Sequence, residues 1–291
     1  MKLNLLKINF LYVYLIAVVF SAAAAAQTYA LADGGTAQKR FNAVEREKRL
    51  FKSLGIKSFS CYEYEVGLGQ CRRAAKLLHS SHYDSGANIK YTIHYDDKGR
   101  SAIKDTYYYD GAGNKIAKII KNARGAAQSK WLYKYDGSNK IIRMTLFGET
   151  NEILGRWTFK YDKDLNPVEI IESDGDDDIF NRSVSVYAKN KIFETNYNSE
   201  NAVDNKRTYT LDGGGKKIEA VLYDQAGVEK IKTYFSYDTA ENLIENAAYY
   251  PDGGMSFKFT HKYDSENMLI EKTSFDKSGN PDKIYIYTYE K

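Results

Sequence analysis

The chain has 291 residues and a formal charge of +4, with 42 Lys and Arg against 38 Asp and Glu spread along its length. That balance leaves no basic footprint for nucleic acid. It also holds 26 Tyr and 13 Phe against three Pro, a bias toward pleated, half-buried surfaces that excludes a disordered chain and points to strands.

The first segment, residues 1–32, has the three-part plan of a secretory signal peptide and leader. Lys2 and Lys7 precede an apolar run from Phe10 to Phe20, and Ser21 to Ala26 are small. Cleavage is expected after Ala26 or after Ala32. A membrane anchor helix is the alternative, but the run is short of the ~20 residues a span needs. No cysteine lies near either site, so a lipidated N-terminus is not supported. The expectation is an exported protein, in the periplasm or on the cell surface of a bacterium, with no stable membrane span after cleavage.

Residues 33–57 predict one amphipathic helix. Phe41, Val44, Phe51 and Leu54 share a face, Glu45, Arg46, Glu47 and Lys48 lie mostly on the other, and Gly55 is a stop. A single such helix is marginal alone. It is expected to pack on the first strands and cover a sheet edge that otherwise invites aggregation.

From Ser58 onward the chain reads as strands. Ser58–Val66 and Cys71–Tyr83 flank Gly67-Leu68-Gly69, with Cys61 and Cys71 placed five residues on either side of Val66. In an exported hairpin this symmetry predicts a Cys61–Cys71 disulfide. His79 and His82, two histidines without further ligands, are expected to be surface residues, and no metal site is expected.

Tyr83, Tyr109, Tyr135, Tyr161 and Tyr187 follow at steps of 26; after a step of 24 to Leu211 the period resumes through Tyr237, Tyr263 and Tyr289. Such a period marks a repeat architecture. Most of these corners open an Asp-led turn, such as Tyr109-Asp110-Gly111-Ala112-Gly113-Asn114, and the Asp side chain can bond its own backbone two residues on. A second aromatic or polar turn falls midway, for example at Tyr95-Asp96 and Phe275-Asp276. Between turns the residues alternate, with Trp131, Tyr133 and Tyr135 on one face and Leu132 and Lys134 on the other. Residues 58–291 therefore predict an all-β domain. It is a long antiparallel meander of about sixteen to eighteen strands, one hairpin per repeat, curled or superhelical because a flat sheet of that length does not persist.

The Tyr-Asp-x-x-Gly-Asn turn followed by an aliphatic strand resembles the YD repeat of Rhs-type bacterial surface and toxin-carrying proteins. The resemblance spans about residues 83–291 and implies hairpins coiled into a β-spiral shell. Units such as Asp162-Lys163-Asp164-Leu165 depart from the motif, and the repeat runs to Tyr289 with no segment for a toxin domain. The likeness is nearer to small exported bacterial proteins made only of such hairpins.

No nucleophile elbow, phosphate loop or Cys-x-x-Cys pair is present, and four His supply little acid–base equipment. The run Asp174-Gly175-Asp176-Asp177-Asp178 is part of a calcium-loop pattern without its closing Glu, and it coincides with an ordinary repeat turn. No cofactor is implied. The aromatic ladder through Tyr133, Phe159, Tyr209, Phe235 and Tyr287 is either the packing layer of the sheet or an open platform for a glycan or peptide. The expected function is a non-enzymatic binding or structural module of the cell envelope, with a glycan or another envelope protein as partner. Two alternatives stand beside it: an outer-membrane β-barrel, against which Lys and Glu on both strand faces argue, and a glycan-acting enzyme using two turn carboxylates.

Overall fold

The computed structural model describes residues 37–66 and 75–291, with helix side chains from residue 45 onward. The segment read as signal and leader and Cys71 lie outside these residues. One helix, α1 (Ala37–Leu54), precedes eighteen antiparallel strands, β1 (Ser58–Glu65) to β18 (Pro281–Glu290), each paired with its neighbour in sequence. The meander closes: β1 pairs with β2 on one side and with β18 on the other, in register from Ser58 opposite Glu290 to Glu65 opposite Lys283. The curl is thus a barrel without edges, and not the spiral implied by the repeat resemblance.

The repeat chemistry supplies the stagger that closure needs. Most hairpins carry a one-residue register shift at the corner, as at Tyr108/Tyr109, Lys134/Tyr135 and Lys160/Tyr161. Bulges sharpen twist, and their repetition supplies the stagger that a closed barrel requires. At most corners the Asp carboxylate accepts two backbone N–H groups: Asp110 Oδ1 from Ala112 at 3.0 Å and Asn114 at 2.8 Å, Asp136 Oδ1 from Ser138 at 2.8 Å and Lys140 at 2.9 Å. Asp174 does the same for Asp176 and Asp178, so the acidic run is one more turn of this kind. The corner tyrosines stitch repeat to repeat. Tyr109 donates to the Ile89 carbonyl at 3.1 Å, Tyr135 to Lys115 at 2.8 Å, Tyr161 to Ile141 at 2.8 Å and Tyr289 to Leu269 at 2.8 Å, always twenty residues back. The short step at Leu211 has its origin one turn earlier, where β10 (Ile179–Tyr187) and β11 (Lys191–Asn198) are joined by a tighter loop closed by Ala188 N–H to Lys191 O at 2.8 Å.

The fifth position of most turns has positive φ. Glycine takes it at Gly113 and Gly227, but Leu165 sits there at 62° and Glu241 at 69°. A side chain in this region costs roughly 1–2 kcal/mol. Leu165→Gly is therefore expected to raise stability by about 1 kcal/mol, read as a higher urea midpoint; no gain would mean that the Leu165 side chain contributes packing that offsets its backbone strain.

Buried side chains fall mainly on one strand face, the inner one. Phe59, Cys61, Tyr83, Ile89, Phe159, Tyr209 and Tyr287 are buried, while Leu132, Leu154 and Val186 on the other face are exposed. The outer face carries cross-strand ion pairs: Lys160 with Glu169 at 2.6 Å, Glu169 with Arg182 at 2.8 Å, Lys258 with Glu245 and Lys262 with Glu271 both at 2.8 Å.

Two expectations need correction. With no open edge to cover, α1 instead sits at the barrel mouth formed by the Tyr-Asp turns. There Phe51 packs on Tyr83 at 5.1 Å and Tyr289 at 5.9 Å, and the Arg46 guanidinium donates to the Ala240 carbonyl at 2.7 Å. The hairpin register also places His79, not residue 71, opposite Cys61; β2 begins only at Lys76, and Cys61 is a buried free thiol.

Candidate functional site

The predicted ladder lies on the inner wall. Tyr209 is 3% exposed, Phe159 6% and Tyr287 9%, with Tyr133 and Phe235 half-buried, so these rings are packing and not a wet platform. Tyr209, with Phe235 beside it, forms one core cluster with Ile192 and Leu211; Tyr287 belongs to the seam cluster of Phe51, Phe59 and Tyr83. The five residues do not converge on one place. His79, expected at the surface, is 4% exposed on the inner wall, edge-on to Phe59 at 5.6 Å and stacked on His94 at 6.2 Å. The His94 imidazole meets Asp105 at 3.2 Å, and Lys118 meets the same carboxylate at 2.8 Å. Asp105 stays below its ordinary range because the hydrogen bond from His94 and the charge of Lys118 outweigh its burial, the largest single influence, which alone raises it. Burial pushes the Cys61 thiol up to about 12, which removes it as a nucleophile. Among the described residues no group of three or more His, Cys, Asp or Glu is arranged to hold a metal.

The inner wall changes character over β9 (Pro167–Ser173) to β12 (Val203–Leu211). Two and four residues before the corner, the neighbouring repeats carry Tyr133 and Trp131, then Phe159 and Trp157; the repeat ending at Tyr187 carries Ser185 and Ser183. Where the rings are missing, a cavity of about 510 Å³ opens at the end away from α1. Its lining includes Asn181, Ser183, Ser185, Glu194, Asn196, Asn205 and Arg207, with Ile170 and Phe180 as apolar walls. These polar groups are held by one another. Ser183 donates to Asn196 Oδ1, Asn196 Nδ2 reaches Asn205 Oδ1 at 2.8 Å and Glu194 at 3.3 Å, and Arg207 donates to Glu194 at 3.4 Å and to the Tyr209 hydroxyl at 3.2 Å. Beside the cavity, burial raises the Glu172 carboxyl, with Asn181 at 3.5 Å from it. The arrangement offers many fixed donors and acceptors around a space of ordinary ligand size. None of its lining residues was assigned to a site from the sequence, although the serines standing where other repeats put rings are the signal that marks it.

No protein-family model matches the chain, and no curated protein matches it. Solved structures do. A porin-like protein from Bacteroides uniformis has a TM-score of 0.46 and 10% identity over 81% of this chain and 96% of that one. A porin-like protein from Bacteroides vulgatus has a TM-score of 0.37 and 14% identity over 81% of this chain and 98% of that one. The Photorhabdus luminescens Tc holotoxin pore has a TM-score of 0.30 and 12% identity over 74% of this chain but only 15% of that one.

Proposed function

We propose that this chain is an exported β-barrel of the cell envelope that takes a small neutral, carbohydrate-like ligand into the amide-lined cavity of its inner wall. The observation that carries the reading is the replacement of two ring positions by Ser183 and Ser185, which leaves about 510 Å³ lined by paired amides, a carboxylate and a guanidinium. Planar amides present a donor and an acceptor side by side, as vicinal hydroxyls require, and Phe180 and Ile170 supply an apolar wall. The charges of Glu194 and Arg207 pair with each other, which suits a neutral ligand.

The test is calorimetric titration of neutral oligosaccharides into the mature protein and into Ser183→Trp and Arg207→Met. Trp fits the pattern of the neighbouring repeats, so Ser183→Trp is expected to fold and lose binding by at least tenfold, and Arg207→Met to weaken it. Absence of binding across the panel, or binding that Ser183→Trp leaves intact, overturns the proposal. Turnover of a bound oligosaccharide would instead indicate a glycan-acting enzyme.

Barrel closure favours a second reading, an outer-membrane barrel. Against it stand strands of 7–10 residues and, on the outer face, the paired Arg182 and Lys258, each near the middle of its strand, where an Arg or Lys facing lipid costs about 2–4 kcal/mol. Release by osmotic shock supports the water-facing exterior; a need for detergent supports the membrane barrel.

A further inference from the structure

The chain has two tryptophans, and both stand on the inner wall beside the cavity. Trp131 on β6 (Ala127–Tyr135) shares a face with Tyr133, and Trp157 on β8 (Ile153–Tyr161) shares one with the buried Phe159, so both point inward. Between them runs β7 (Ile141–Phe147), where Leu146 is opposite Trp131 and Met144 is opposite Trp157. The two indoles reach across that strand and meet at 5.0 Å between ring centroids, tilted by 36°. Leu146 and Met144 are buried, while each indole is only half-buried.

A glycine sets the place of Trp157. Gly155, two residues earlier on the same face, is buried, and a side chain there would begin 2.9 Å from Trp157 Cη2 and 3.1 Å from Cζ3. The indole therefore lies over bare backbone and leans away from its own corner at Tyr161, toward the end where the cavity opens. The row continues along the wall. Trp157 is opposite Glu172 on β9, Glu172 is opposite Asn181 on β10, and Asn181, 3.5 Å from that carboxylate, lines the cavity. On the other side Trp131 is opposite Lys118, whose ammonium is held by Asp105 at 2.8 Å. The ring pair thus ends at an ion pair on one side and runs into the amides on the other.

We propose that Trp157 and Trp131 form a stacking subsite that continues the cavity, so that the ligand is a neutral oligosaccharide at least two pyranose rings long; this rests on the saccharide reading of the cavity. Trp157 and Asn181 sit two strands apart, about 10 Å, which is more than one pyranose ring covers. A pyranose has an apolar face whose C–H groups carry partial positive charge and pack on the electron-rich face of an indole. Its rim of hydroxyls needs paired donors and acceptors. The wall offers the two side by side, first the indoles and then Asn181, Ser183, Asn196 and Asn205. A wholly apolar ligand has nothing to give the amides, and a single small polyol does not reach the rings.

The test uses the two indoles as reporters. The mature chain is titrated with neutral gluco-, xylo- and mannotrioses and with the matching monosaccharides, by calorimetry and by tryptophan emission with acrylamide as quencher. A bound triose is expected to lower acrylamide quenching by about twofold or more, whereas a monosaccharide leaves it unchanged. Trp131→Phe, in which Trp157 is the lone tryptophan, should show the same protection. Trp157→Leu keeps apolar bulk over Met144 and should lose about tenfold in triose affinity, and Trp157→Phe, which restores a ring, should recover most of that loss. Trp157→Met is a second ring-free variant should leucine fail to fold. Heat of binding with unprotected indoles, or a triose that the ring-free variants bind as tightly as the native chain, overturns the stacking subsite and leaves the cavity reading standing. Absence of heat from every saccharide overturns the cavity reading and the subsite with it.

Discussion

Phe59→Ala is expected to cost about 3–5 kcal/mol, the largest loss from any single truncation in the chain. Phe59 is 0% exposed, and its ring is surrounded by His79 at 5.6 Å, Tyr289 at 5.9 Å, Tyr83 at 6.3 Å and Tyr287 at 6.4 Å. It also sits on β1, the strand that is bonded to both β2 and β18 and so makes the barrel continuous. Removing the ring weakens the seam itself, and a seam that opens presents two unpaired strand edges to other chains. The variant should therefore unfold at lower urea and associate at intermediate urea, visible by light scattering. Phe193→Ala is the matched control: that ring is 44% exposed on the outer face, and its loss should stay below about 1 kcal/mol. Equal costs for the two substitutions would mean that the seam is not where the stability lies.

The repeat was legible because one interaction recurs. A tyrosine, an Asp that caps its own turn and a residue of positive φ recur every twenty-six positions, and each copy fixes the next hairpin's register. Strand number, antiparallel order and the shared face of Trp131 and Tyr133 all follow from it. Closure does not. It depends on β1 meeting β18, residues more than two hundred positions apart, with Ser58 donating to the Glu290 carboxylate at 2.5 Å and Lys283 to Glu63 at 3.1 Å. Nothing local encodes that meeting. The cysteine pairing failed for a related reason: symmetry about a turn presumes a tight hairpin, whereas β1 and β2 pair with Cys61 opposite His79. The cavity was the nearest miss, since Ser183 and Ser185 break the aromatic pattern in plain sight; the meaning of the break needed the face to be known as inner.

Acid should unfold this barrel well before its carboxylates are neutralised. Burial holds the His79 imidazole down to about 3 and the His261 imidazole to about 4, and neither His79 nitrogen nor His261 Nδ1 has a hydrogen-bond partner among the described residues. The charge of His94 lowers His79 further, and Asp105 offsets part of that. Unfolding returns both to about 6.5, so the unfolded chain takes up protons that the barrel refuses. A depressed histidine contributes stability that is whole above pH 6.5 and is lost as pH falls, down to about 4 for His261 and about 3 for His79. Each costs about 1.4 kcal/mol per pH unit within its window, on the order of 5 kcal/mol in all for His79. Urea midpoints between pH 7 and pH 4.5 should therefore decline with a slope near two protons. His79→Leu, which keeps an apolar side chain against Phe59, should reduce that slope by about one proton. A variant that loses stability in acid as steeply as the native chain would show that His79 finds a partner when it is charged, and the Asp105 carboxylate, reached through His94, would be the group to examine by substitution next.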